Sequence, residues 1–147
     1  MREYLELARP YFALLALTAT GRWLQGLFAV PYERGHHVFS IVLLTVFSCL
    51  YYGAFTRRFR GFRLMQAILL GTMFGVVSQL LILVLTVLSY ALSMHTFFNH
   101  PTALNAQAPL SLVEALEIRL GGLVGNSIFS GITAALGWAL GSFLPER

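Results

Sequence analysis

Apolar residues run through this chain in four long stretches, broken by short polar segments. The first covers roughly residues 10–31, the second 36–55, the third 62–94, and the fourth begins in a helix at 111 and runs to 144. A helix needs about 20 predominantly apolar residues to cross a ~30 Å hydrocarbon layer. Each stretch reaches that length. The second and third are apolar on every side, where a surface helix of a soluble domain would carry a single apolar stripe. The pattern predicts an all-α protein: one domain over 1–147, a four-helix bundle integral to a membrane.

Helix punctuation agrees with this reading. Pro10 suits a first helical turn, where a missing N–H costs nothing, and Pro31 lies where the first helix should close. Ser111 with Glu114 three residues on forms a capping box, which starts the fourth helix well before its apolar part. Pro145 ends it. Residues 1–20 have the outline of a signal peptide, but the leading MREYLELAR carries two glutamates, so an uncleaved span is expected instead.

Composition supports a lipid solvent. Of 147 residues 57% are hydrophobic and only 11% charged, with a mean hydropathy of +0.72, too little polar material to coat a soluble domain of this size. All ten basic residues are arginine and all six acidic ones glutamate, a bias that hints at a GC-rich bacterial genome and places the chain in a bacterial plasma membrane. The net charge of +4 would suggest nucleic acid in a soluble protein. Here arginine sets direction, because cytoplasmic loops of membrane proteins are rich in it. Arg57, Arg58, Arg60 and Arg63 lie between the second and third stretches. Putting them in the cytoplasm brings both termini there, so that seven arginines lie inside and Arg34 and Arg119 outside. Tyr11, Phe12, Tyr51, Tyr52 and Trp138 would then line the inner boundary, and Tyr32, Tyr90, Phe97 and Phe98 the outer one.

The apolar stretches carry few chemical groups. Arg22 stands about 20 Å along the helix from Arg9 at 1.5 Å per residue, in the outer third of the membrane. With Thr18 and Gln25 it forms one polar face, expected to turn into the bundle. Arginine at such depth costs ~3 kcal/mol or less on insertion scales. Its expected partners are Glu114 and Glu117 at the outer end of the fourth helix. Gly71 and Gly75, Gly121 and Gly125, and Gly137 and Gly141 have the four-residue spacing that lets membrane helices approach closely. Arg22, Gln25, Gln79 and Asn126 together could line a polar path.

Several functions are disfavoured. No acidic residue lies inside the first three stretches or the apolar part of the fourth, from about Leu120 to Leu144, so exporters that depend on a membrane carboxylate do not fit. Cys49 is the single cysteine, which rules out an intramolecular disulfide. No G-x-S-x-G, HExxH, C-x-x-C or phosphate-binding glycine loop occurs. His36, His37, His95 and His100 map to the outer face and could ligate a metal or pigment, but their spacing matches no known site, and no cofactor is predicted. The sequence therefore leads to a non-catalytic membrane subunit that contacts lipid and packs against itself or other membrane subunits, without nucleic acid. A small channel or carrier using Arg22, Gln25, Gln79 and Asn126 is the rival.

Overall fold

The computed structural model describes residues 2–145, with the side chains of residues 2 and 3 left out of account. All regular structure among these residues is helical. Helix α1 spans Arg2–Leu27, the short α2 spans Tyr32–Gly35, α3 spans Ile41–Arg60, α4 spans Leu64–Ala91 and α5 spans Leu112–Leu140. Two 3₁₀ turns, Pro101–Leu104 and Gly141–Phe143, complete the set.

Local chemistry fixes most of the boundaries. Ser40 caps α3 by accepting the Leu43 N–H, and Gly61 ends that helix in the left-handed conformation at φ 64°. At α5 the expected capping box is present: Ser111 Oγ accepts the Glu114 N–H, and Glu114 Oε2 accepts the Ser111 N–H at 2.8 Å. The first boundary differs from the sequence expectation. Pro10 lies in the interior of α1, not in its first turn. Its missing N–H costs one hydrogen bond. The helix continues on both sides because Ala8 and Tyr11, which flank the proline, are fully buried against the other helices. The second stretch also starts later, at Ile41, because residues 32–35 form their own turn of helix.

Two helices, α4 and α5 with its 3₁₀ extension, are long and apolar enough by themselves to cross a membrane. At 28 and 29 residues, α4 and α5 are ~42 and ~44 Å long. Helices α1 and α3 fall below that mark. The first carries Arg9 and Arg22, and the second ends in Arg57, Arg58 and Arg60.

Helices α3, α4 and α5 pack as a tight trio. Glycine makes the closeness possible. A methyl group on Gly53 would strike the Ala134 carbonyl oxygen, one on Gly137 the Leu50 oxygen, and one on Gly75 would come within 2.8 Å of Ser127 Cα. Gly71 and Gly141 are in the same position against Ser130 and Ala54. Helix α1 lies against α3 and α4 through Ala8, Tyr11, Leu15 and Ala19, whose three- and four-residue spacing makes one buried stripe. Tyr11 anchors it. Its ring stacks on Phe74 at 4.1 Å, and its hydroxyl lies 3.0 Å from Thr45 Oγ1 and donates to the Phe74 carbonyl at 3.2 Å. Higher up, α1 stands off from α4, leaving an apolar groove of about 570 Å³ lined by Leu15, Ala19, Trp23, Val77, Leu81 and Leu85.

Four of the nine aromatic residues expected at the membrane boundaries are buried instead. Tyr11, Tyr52, Phe97 and Phe98 are buried inside the protein, whereas Tyr51 is exposed as expected. Phe97 and Phe98 belong to the 92–111 connection, which folds back as a plug. There Thr96 Oγ1 lies 2.7 Å from Ser89 Oγ, and Asn99 accepts the Thr96 N–H and donates to the Met94 carbonyl, both at 2.9 Å.

Candidate functional site

Polar side chains gather at the end of the bundle where the 28–40 and 92–111 connections meet. Phe39 adopts a left-handed backbone at φ 56°, uncommon for a bulky residue, and this sets its ring against Gly21. The next residue, Arg22, is thereby held facing the α2 turn. Its Nη1 donates to the His36 carbonyl at 3.2 Å, and its guanidinium carbon lies 5.5 to 6.0 Å from the ring centres of Phe97, Phe98 and Tyr32. These are cation–π distances. Tyr32 is in turn stacked between His36 at 5.3 Å and His100 at 4.5 Å, and the His36 and His37 rings lie 3.7 Å apart.

A second arginine enters from α5. Arg119 donates from Nε to Thr86 Oγ1 at 3.2 Å and from Nη2 to the Phe98 carbonyl at 2.7 Å. Phe98, 1% exposed, thus takes Arg22 at its ring and Arg119 at its carbonyl. Between the two arginines lies a cavity of about 350 Å³, which Tyr32, His36, His37, Ser40 and Ile82 help to line. Among the described residues no carboxylate lines it.

The expected ion pair of Arg22 with Glu114 or Glu117 does not form. Glu114 points to Ser111, whose N–H and hydroxyl both donate to its Oε2, and Glu117 is exposed. Capping uses the carboxylate locally, and the His36 carbonyl is nearer to Arg22. Of the four residues proposed to line a path, Gln79 and Asn126 come together beside Thr45, Ser78 and Ser130 in a crevice of about 10 Å³. Arg22 lies instead with Arg119, and Ile82, one turn beyond Gln79 on α4, lines the arginine cavity. Gln25 joins neither group, and its Oε1 is buried with no hydrogen-bond partner.

The histidines divide as well. His36 and His37 line the arginine cavity, while His95 and His100 line a separate crevice with Ser89 and Asn99. Among the described residues no three His, Cys, Asp or Glu side chains gather into a set that could hold a metal ion. At the opposite end, Arg57 sits 3.9 Å above the Trp138 ring and donates to the Trp138 carbonyl, and the Trp138 indole N–H donates to Phe62 O at 2.7 Å. That part of the basic tract locks α3 to α5.

Arg119, Thr86 and Phe98 were not foreseen as site residues. One signal could have found them. Gln79, Thr86 and Ser89 recur at helical spacing along α4 and are all buried, marking the face on which Arg119 closes. No family model, no curated protein and no solved structure matches this chain.

Proposed function

We propose that this chain is a multi-pass membrane protein whose four long helices all cross a bacterial plasma membrane. In this reading both termini and the Arg57–Arg63 tract are cytoplasmic, and the Arg22–Arg119 cavity faces the outer side. The role we assign is a non-catalytic subunit that packs against a second copy of itself or within a larger membrane complex.

The observation that carries the subunit role is the stripe of Gly121 and Gly125 on α5. Every other helical pair at this spacing is used inside the protein, but a methyl group on either of these two would meet nothing within 4 Å. They lie exposed beside Val124 and Ile128, also exposed. Small residues on a lipid-facing surface favour another helix over lipid, because lipid tails fill a shallow notch less well. Exposed Leu17, Phe47, Met65 and Leu136 on the other faces suit contact with acyl chains.

Purification in a mild detergent tests this reading. A stable dimer, or a stoichiometric complex with other membrane proteins, is the expected result. A monomer that moves solute across liposomes would favour a carrier working through Arg22, Gln25, Gln79 and Asn126.

A further inference from the structure

Among the described residues, the cavity between α1 and α5 presents two fixed positive charges and no negative one. Arg22 and Arg119 approach it from different helices, and neither forms an ion pair among the described residues. Each guanidinium has five N–H donors. Arg22 uses donors on the His36 carbonyl and the Tyr32 hydroxyl, and Arg119 uses two on Thr86 and Phe98, so both retain donors for a further acceptor. Two like charges in one half-buried cavity repel unless something neutralises them. The walls do not. Besides the arginines they offer Tyr32, His36, His37 and Ser40, none of them a carboxylate, and apolar residues such as Ile82 and Phe98.

We propose that this cavity binds a phosphate group. An acceptor that satisfies guanidiniums arriving from two directions needs oxygens pointing in several directions, and a tetrahedral phosphate provides them where a planar carboxylate provides two. Arginine matches phosphate geometry through paired N–H donors. The charge of a phosphate monoester, between −1 and −2, balances the pair. A volume of about 350 Å³ holds one phosphate with part of the group it is attached to. Two sources share this chemistry: free phosphate or a small phosphate ester, and the headgroup of an anionic phospholipid. Phe98, from the 92–111 connection, presents its ring to Arg22 and its carbonyl to Arg119. The inference concerns the cavity alone and stands whether the chain is a subunit or a carrier.

The test uses the full chain purified in a neutral maltoside detergent, titrated with inorganic phosphate, with dihexanoyl phosphatidic acid and, as a control lacking phosphate, with dihexanoyl glycerol. Saturable binding of at least one phosphate compound, and none of the control, is expected. Arg22→Gln and Arg119→Gln should each weaken that binding by about tenfold, the loss of one charge-assisted contact. Arg34→Gln, at an exposed position outside the cavity, should leave it unchanged. Binding of inorganic phosphate identifies a free phosphate site, and binding of phosphatidic acid alone identifies a headgroup site. Failure of both to bind, or binding by the two cavity variants as tight as that of the unaltered chain, overturns the proposal. Should the variants not fold, the unaltered chain decides: a bound phosphate compound should slow phenylglyoxal modification of Arg22 and Arg119 but not of Arg34. Unchanged modification of all three overturns the proposal too.

Discussion

Glycine pairs at one four-residue spacing meet opposite fates in this protein. Gly71 and Gly75 on α4, and Gly137 and Gly141 at the end of α5, are pressed against the backbone of a neighbouring helix, while Gly121 and Gly125 face open space. Sequence spacing alone makes them equivalent. The difference lies in what stands opposite: in the sealed seam, a glycine on one helix meets the backbone of another, as Gly137 meets Leu50 O and Gly53 meets Ala134 O. Among the described residues nothing stands opposite the Gly121–Gly125 face of α5. A four-residue glycine repeat therefore reports that a helix can be approached closely, and the fold decides whether the partner is internal.

The largest effect is expected in the seam. Gly53→Ala and Gly137→Ala each drive a methyl group into a carbonyl oxygen that belongs to a helix backbone and cannot step aside. Overpacking a well-packed core costs about 1–3 kcal/mol or more, and here the upper end applies. Thermal unfolding in detergent should show both variants strongly destabilised or absent from the membrane. If either matched the original stability, the helices would not be in backbone contact.

Gly125→Leu should act quite differently. The new side chain enters open space on α5, so the single chain should keep its thermal stability to within ~0.5 kcal/mol, as surface substitutions do. Self-association or capture in a larger complex should fall, as read by crosslinking and size-exclusion chromatography. A variant that assembles like the original would remove the main support for a subunit role.

A smaller effect is expected where α1 meets the trio. Tyr11→Phe keeps the stacking on Phe74 and deletes the hydroxyl contacts to Thr45 and the Phe74 carbonyl. Hydrogen bonds between membrane helices contribute about 0.6 kcal/mol on average, so a loss near 1 kcal/mol is expected. Thr45 keeps its own bond to the Ile41 carbonyl at 2.8 Å, which limits the damage. A loss of several kcal/mol would mean that α1 depends on this one side chain.

Much of the helical plan was legible because it depends on local pattern. Apolar run length, the Ser111–Glu114 box and the Arg57–Arg63 tract are all readable without knowing the fold. Pro10 was misread because a proline is judged by its neighbours in sequence, whereas burial of Ala8 and Tyr11 by distant residues keeps the helix running through it. The site was legible only in part. Arg22 stood out as a charge in an apolar stretch, but its partners did not, since His36 and Phe98 reach it through backbone conformation and a folded connection. Arg119 looked like an ordinary outer-face charge until Thr86 and Phe98 were seen to hold it. Glu114 looked free to pair until its cap was formed.

The central claim is that the Arg57–Arg63 tract and the arginine cavity end lie on opposite sides of one membrane. Single cysteines at Arg60 and Ala108, both exposed positions, report on it directly, and the native Cys49 is buried. In intact cells a membrane-impermeant maleimide should label Ala108→Cys and leave Arg60→Cys untouched until the membrane is opened. Labelling of Arg60→Cys alone would invert the orientation, and labelling of both in intact cells would contradict the four-span arrangement.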